Sequence, residues 1–248
     1  MCTATWMKGD RFRYLLFNRD ESLNRPDEIP PSIHQPATRP RFLAPTDPQS
    51  GGSWIAVNEY GLSAAVLNFY DGGVPAPEVS TAPISRGTLP LAAVAHKRVD
   101  SAADEIKEKT QTSHFAPFHL LLYDAEGDGA CLSWNGKSLK EGAIEEVDQP
   151  LSTSSYRSAA VVAFRKELYQ NTVKTPPRLD QLLEFHGSFL PERPAYGPAM
   201  IRDDASTRSL TTIRLGSGEI SMRHQLFNTA SASFDSASEI KIQRRFIS

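Results

Sequence analysis

The chain has 248 residues, 40% of them hydrophobic and 23% charged, with a net charge of −2. That length suits one large domain or two small ones and allows about 70% of the unfolded surface to be buried without a disulfide or metal staple. The near-neutral balance provides no global field to recruit nucleic acid or an acidic membrane. The two cysteines, Cys2 and Cys131, make no disulfide framework, and a reducing compartment is the simple inference. Lys8, Asp10, Arg11 and Arg13 interrupt every apolar run near the start, which argues against a secretory leader. The longest apolar stretch, Leu89 to Ala95, is too short to span a bilayer. A cytoplasmic protein with no integral membrane segment is expected.

Two short strand-like runs flank Gly9-Asp10. A two-residue turn with Gly first suits a type II′ hairpin, because Gly accepts positive φ. That turn would set Lys8 opposite Arg11, Thr5 opposite Tyr14 and Cys2 opposite Phe17. Arg19 has the parity of Phe17 and so points to the side Cys2 points to. A thiol and a guanidinium are thereby brought together at the open end. Cys2 follows only Met1, and removal of Met before a small residue is usual. Cys2 would then carry a free α-amine, with a pKa of about 7.7–8.0, able to accept its own thiol proton. Arg19 would favour the thiolate, and Asp20 would hold the ammonium form in place. The plainer alternative is a small residue near a frayed end.

Residues 22 to 50 carry seven prolines, among them Pro30, Pro31 and Pro36. They read as a long loop that begins beside Cys2 and walls or caps its surroundings. His34, inside this loop, has no partner at metal-ligand spacing and reads as solvated or as a wall residue. Trp54 to Asn58 and Leu62 to Phe69 form a second hairpin across Glu59-Tyr60-Gly61. Its side with Ala64 and Val66 ends on Asn68. That amide either caps a following turn, Tyr70 to Gly73, or donates to a developing oxyanion.

A helix beginning around Ser85 to Thr88 and a second one starting at Ser101 supply a first helical layer. Strands follow at Phe118 to Tyr123, Ala130 to Trp134, Ser138 to Val147 and Leu151 to Ser154, read as one meander. Asn135-Gly136 signals a type I′ turn. Cys131 lies mid-strand in apolar surroundings and reads as buried and unreactive. Arg157 to Asn171 and Leu179 to Phe185 make the second helical layer. Residues 188 to 206 read as an irregular further wall. Arg208 to Leu215 and Glu219 to Phe227 form a closing hairpin, and the last twenty residues a packed strand or fringe. No phosphate-loop pattern, internal repeat or zinc spacing occurs, so neither a metal nor another cofactor is expected.

Met1-Cys2, Asn18-Arg19-Asp20-Glu21 and Arg25-Pro26 resemble the NRDE family, also called the transport and Golgi organisation 2 family. The likeness continues at Gly51-Gly52-Ser53-Trp54, Gly61-Leu62 to Leu67-Asn68, Phe118 to Asp124, Leu151-Ser152 and Thr207-Arg208-Ser209. This family in turn resembles the N-terminal-nucleophile (Ntn) hydrolases, especially the choloylglycine hydrolase and penicillin V acylase branch. The resemblance implies an α+β fold over residues 1–248, a four-layer αββα sandwich of two antiparallel sheets flanked by helices. It implies Cys2 as nucleophile, Arg19 and Asp20 as its neighbours, and Asn68 as an oxyanion-hole residue. Arg208 resembles a family position near the nucleophile, though an edge-strand surface arginine is the plain alternative. Two departures stand out. Thr153 occupies a position where the family reads Asn, and Trp54 is followed by Ile55-Ala56 without the family glycine.

The leading expectation is a cysteine hydrolase cleaving a non-peptide amide of a small N-acyl compound. The alternative is a lipid- or haem-binding trafficking protein on the same fold. A glutamine amidotransferase, which also starts with Cys, fits less well because Thr3 stands where Gly is usual.

Overall fold

The computed structural model describes residues 2–70, 83–144 and 149–247. In chain order the strands before the first helix are β1 (Cys2–Lys8), β2 (Arg13–Ser22), β3 (Ile29–His34), β4 (Phe42–Thr46), β5 (Ile55–Asn58) and β6 (Ser63–Asn68). Helices α1 (Thr88–Ala93) and α2 (Val99–Thr112) precede β7 (Phe118–Tyr123), β8 (Gly129–Trp134), β9 (Leu139–Ala143) and β10 (Leu151–Thr153). Helices α3 (Ser158–Thr172) and α4 (Leu179–Gly187) lead into β11 (Ala205–Leu215), β12 (Glu219–Asn228), β13 (Ser233–Phe234) and β14 (Ser238–Gln243).

The strands make two antiparallel sheets. One runs β10-β1-β2-β11-β12, with β13 and β14 both on β12; the other runs β3 to β9 in sequence order. Period-two alternation sorts the first sheet's side chains. Cys2, Ala4, Trp6, Leu15, Phe17, Ile213 and Met222 join one core with apolar residues of the second sheet. Met7, Leu16 and Leu210 turn the other way and pack on Tyr169, Val173, Leu182 and Phe185 of α3 and α4, or the turn after α3. Helices α1 and α2 cover β5 to β8 of the second sheet. The expected α+β sandwich of two sheets between helical layers is therefore present. Fully burying a side chain such as Phe17 contributes about 1.5–3 kcal/mol.

Several local expectations are corrected. The first hairpin pairs Lys8 with Arg13, Thr5 with Leu16 and Cys2 with Arg19. Its loop is Gly9 to Phe12, closed by the Gly9 N–H donating to Phe12 O at 2.8 Å, and Gly9 is not among the positive-φ glycines. Shifting the register by two residues keeps every side chain on its expected face and moves Arg19 directly opposite Cys2. Asn135-Gly136 likewise opens a loop of four residues, because Trp134 pairs with Leu139. There Asn135 Oδ1 accepts from the N–H groups of Lys137 and Ser138.

Residues 22 to 50 are not a structureless loop, since β3 and β4 pair within them. The stretch read as one meander divides. β7 to β9 continue the second sheet, while β10 crosses to pair with β1. Helix α2 starts at Val99 rather than Ser101, whose Oγ instead donates to Arg98 O at 3.1 Å. Residues 71–73 of the turn expected after Asn68 and the strand end at Val147 fall outside the described residues. No described helix is long and apolar enough to cross a membrane.

Candidate active site

The two sheets approach each other at β1 and β6, and a cavity of about 410 Å³ lies there. Cys2, Arg19 and Asp20 come to it from the first hairpin, and Val66 and Asn68 from the second. Val66 and Asn68 share one face of β6 by alternation. The segments flanking β3 and β4 add Arg25, Asp47, Gln49 and Ser50 to the wall, as the expected cap required. The stretch 83–87 before α1 supplies Ser85 and Arg86.

Gly51 and Gly52 explain how the entry to β5 is made. Gly51 sits at φ +68°, in the region that favours glycine. A Cβ on Gly52 would lie 2.6 Å from the Gly87 carbonyl carbon, so the two backbones need bare contact there. Ser53 N–H then donates to Gly87 O at 2.9 Å and clamps the Arg86 stretch to the strand entry. Trp54 follows, and the Arg19 guanidinium stacks over its ring at 4.2 Å.

Cys2 lies between Arg19 on β2 and Thr153 on β10 in one row of the sheet. Burial pushes its thiol pKa up, opposed in part by the Asp20 backbone N–H. The Arg19 charge is largely taken up elsewhere. Its Nη1 meets Glu28 Oε2 at 2.8 Å, and its Nη2 lies 3.6 Å from Glu21. Burial alone would raise the Glu28 carboxyl, yet the His224 contact at 3.0 Å and Arg19 outweigh it and hold it below its ordinary value. Thr153 Oγ1 is buried and has no hydrogen-bond partner among the described residues.

Asp20 is one residue beyond Arg19, so its side chain turns to the helical side. Thr207 Oγ1 donates to it at 2.7 Å, and Arg165 of α3 lies 3.6 Å away, with both side chains fully buried. Burial raises the Asp20 carboxyl and lowers the Arg165 guanidinium, each opposed by the other's charge. Arg165 also donates to Thr3 Oγ1 at 2.7 Å and Tyr196 O at 3.0 Å. Asn18, on the same face, donates through Nδ2 to His186 O and Pro198 O, and its Oδ1 accepts from His186 Nδ1–H. His186 Nε2 meets Thr5 Oγ1 at 2.8 Å. Burial and the Arg165 charge lower the His186 pKa to about 3, so this ring is neutral at ordinary pH. The Asn18-to-Glu21 stretch is thus divided: Arg19 serves the cavity, and Asn18 and Asp20 bind the hairpin to α3, α4 and the 194–200 segment.

Asn68 Nδ2 donates to Tyr70 Oη at 2.7 Å. An amide nitrogen has two protons, and the second has no partner among the described residues. Arg208 does not reach the cavity. It sits at the irregularity between Thr207 and Ser209, and its Nη2 donates to exposed Asp27 at 2.7 Å. Residues 188 to 206 do not line the cavity either; they pack behind the first sheet. Cys131 is only half-buried, a correction to its expected burial, although burial still raises its pKa. With His119 and Ser133 it lines a second cavity of about 420 Å³ on the opposite face of the β7–β9 sheet. His34 stacks on Phe42 with ring centres 4.6 Å apart and is not part of the cavity wall. No cluster of three or more metal-ligating side chains occurs among the described residues.

Sequence reasoning missed Glu28, Arg86 and Arg165. Arg165 had a signal: it falls four residues after Val161 and four before Tyr169, in the buried stripe of α3. Glu28 and Arg86 had none, since each gains meaning only from residues far along the chain.

Comparison with solved structures identifies the fold. A mutant of the conjugated bile acid hydrolase from Clostridium perfringens superposes with a TM-score of 0.56 at 14% identity, covering 100% of this chain and 97% of that one. The Caenorhabditis elegans ortholog of N-acylethanolamine-hydrolyzing acid amidase gives 0.56 at 11% identity, covering 97% and 100%. Penicillin V acylase from Agrobacterium tumefaciens gives 0.53 at 12% identity, covering 97% and 90%. At these identities the likeness is one of fold, the Ntn-hydrolase fold. No curated protein matches the sequence. The family model described as Transport and Golgi organisation 2 matches residues 1–187, three quarters of the chain, and the protein therefore belongs to the transport and Golgi organisation 2 family.

Proposed function

We propose that this protein is a cysteine amidohydrolase that cleaves a non-peptide carbon–nitrogen bond of a small N-acyl substrate through an acyl-Cys2 intermediate. One observation carries the reading: a thiol from one sheet and a carboxamide from the other, Cys2 and Asn68, line the same small cavity. A volume of about 410 Å³ is near the lower end for ligand pockets, about 300–1,000 Å³.

The raised thiol pKa means that Cys2 rests protonated and needs a base. Removal of Met1 supplies one, the Cys2 α-amine. The amine takes the thiol proton as sulfur attacks the amide carbon. The second Asn68 N–H steadies the developing oxyanion. The carbon–nitrogen bond breaks, the leaving amine takes the proton back, and a thioester remains on Cys2. Water then gives a proton to the free α-amine and attacks the thioester. The acyl group leaves as a carboxylic acid, and the thiol is restored. Arg19, neutralised by Glu28 and stacked on Trp54, positions the wall beside the sulfur.

The carrier reading has less support. Among the described residues, Gln49, Ser50, Ser53, Ser85 and three arginines make the cavity polar for a lipid tail.

The test has two stages. Intact mass is expected to read the chain without Met1 and with an unblocked Cys2. Wild type and Cys2→Ala are then assayed against N-acyl amides and lactams, with mass spectrometry to trap acyl-Cys2. Retained Met1, or equal turnover by Cys2→Ala, would end the proposal.

A further inference from the structure

We infer that the cavity contains an anion subsite built on Arg86, so that its ligand carries a carboxylate or equivalent anion. The inference deepens the hydrolase reading by naming the charge of the substrate. It starts from the cavity's charge balance. Arg19 is neutralised by Glu28 and Glu21. Arg25 is paired with Asp47 and lies 3.7 Å from Glu21. Asp20 is met by Arg165. Every carboxylate in the wall is therefore engaged by another arginine.

Arg86 is the remainder. It is half-buried and has no carboxylate within ion-pair distance among the described residues. Its Nη1 donates to Pro117 O at 3.0 Å. Burial lowers its pKa. A desolvated guanidinium whose other donors have no side-chain partner among the described residues suits a planar anion, which it can bind through two parallel N–H bonds. The Gly87 clamp fixes the wall from which it projects, so the subsite is preformed. Ser85 and Asn68 border the same cavity.

Alkylation kinetics test this without knowledge of the substrate. Iodoacetate is anionic, iodoacetamide is neutral, and Cys131 is an internal control in the same chain. The expected iodoacetate-to-iodoacetamide rate ratio at Cys2 is about tenfold that at Cys131, the size of one charge-assisted hydrogen bond. Arg86→Gln should bring the two ratios together, and Arg86→Lys should restore part of the difference. In parallel, hexanoate and hexanamide are titrated into the Cys2→Ala protein, with Trp54 fluorescence as readout. Hexanoate is expected to bind, hexanamide not, and Arg86→Gln to abolish the difference. Carboxylate binding with no turnover anywhere would remove the hydrolase and keep the subsite. Equal ratios at the two cysteines together with no hexanoate preference would overturn the subsite and leave the hydrolase standing.

Discussion

The two faces of the first hairpin differ as much as two separate regions would. Facing the second sheet, Cys2 and Arg19 meet a cavity with room for a ligand. Facing the helices, Thr3, Thr5, Asn18 and Asp20 are each held by a side chain from α3, α4 or the strands beside them, although Asp20 also borders the cavity. One short peptide stretch therefore serves chemistry and architecture on alternate residues. The lesson is that a functional signature in a strand has to be read at period two.

Substitutions on the two faces are expected to separate activity from stability. The largest effect belongs to Cys2→Ala, which should lower turnover of any hydrolysed N-acyl amide by about 10⁴-fold or more. Its urea midpoint should report a stability change of about 1 kcal/mol at most. Arg165→Met does the reverse. It leaves the buried Asp20 carboxylate without its cation and should cost about 3–5 kcal/mol in urea unfolding. Adding Asp20→Asn should recover part of that loss. An Arg165→Met protein as stable as wild type would show that the helical face is not the structural one.

Asn68→Ala should reduce kcat by about 10²–10³-fold with little change in KM, read by steady-state kinetics. The smallest effect is a pH slope. The unfolded His186 imidazole takes a proton below about 6.5, whereas the folded ring stays neutral down to about 3. The unfolded state binds more protons in that window, so stability falls as the pH drops from 6.5 towards 3. His186→Gln should flatten the dependence by about 1.4 kcal/mol per pH unit at most, measured by urea unfolding from pH 7 to 4.

Much of the frame was legible in the sequence because it rests on local pattern. The parity that sets Arg19 beside Cys2 survives an error of two residues in the turn, since side-chain direction repeats every two residues. The β5–β6 hairpin, the span of α3 and the closing β11–β12 hairpin follow from alternation and helical periodicity. Loop lengths did not. Gly9-Asp10 and Asn135-Gly136 both carry two-residue turn chemistry, yet each opens a longer loop held by its own hydrogen bonds. The crossing of β10 to β1 was hidden because a three-residue strand carries no sign of which sheet it will join. The charge network was hidden for the same physical reason. Glu28 and Arg165 acquire their charged partners, and Arg86 its place in the cavity wall, only when the sheets and helices close on one another.

Gly52 and Gly87 meet with no side chain between them, and that bare crossing offers a point of leverage. A methyl group at position 52 would act as a wedge behind the Arg86 wall while leaving the strand that carries the sulfur untouched. The span between nucleophile and cation could then be lengthened by one buried substitution that touches no bound molecule, and the length of compound accepted would change with it.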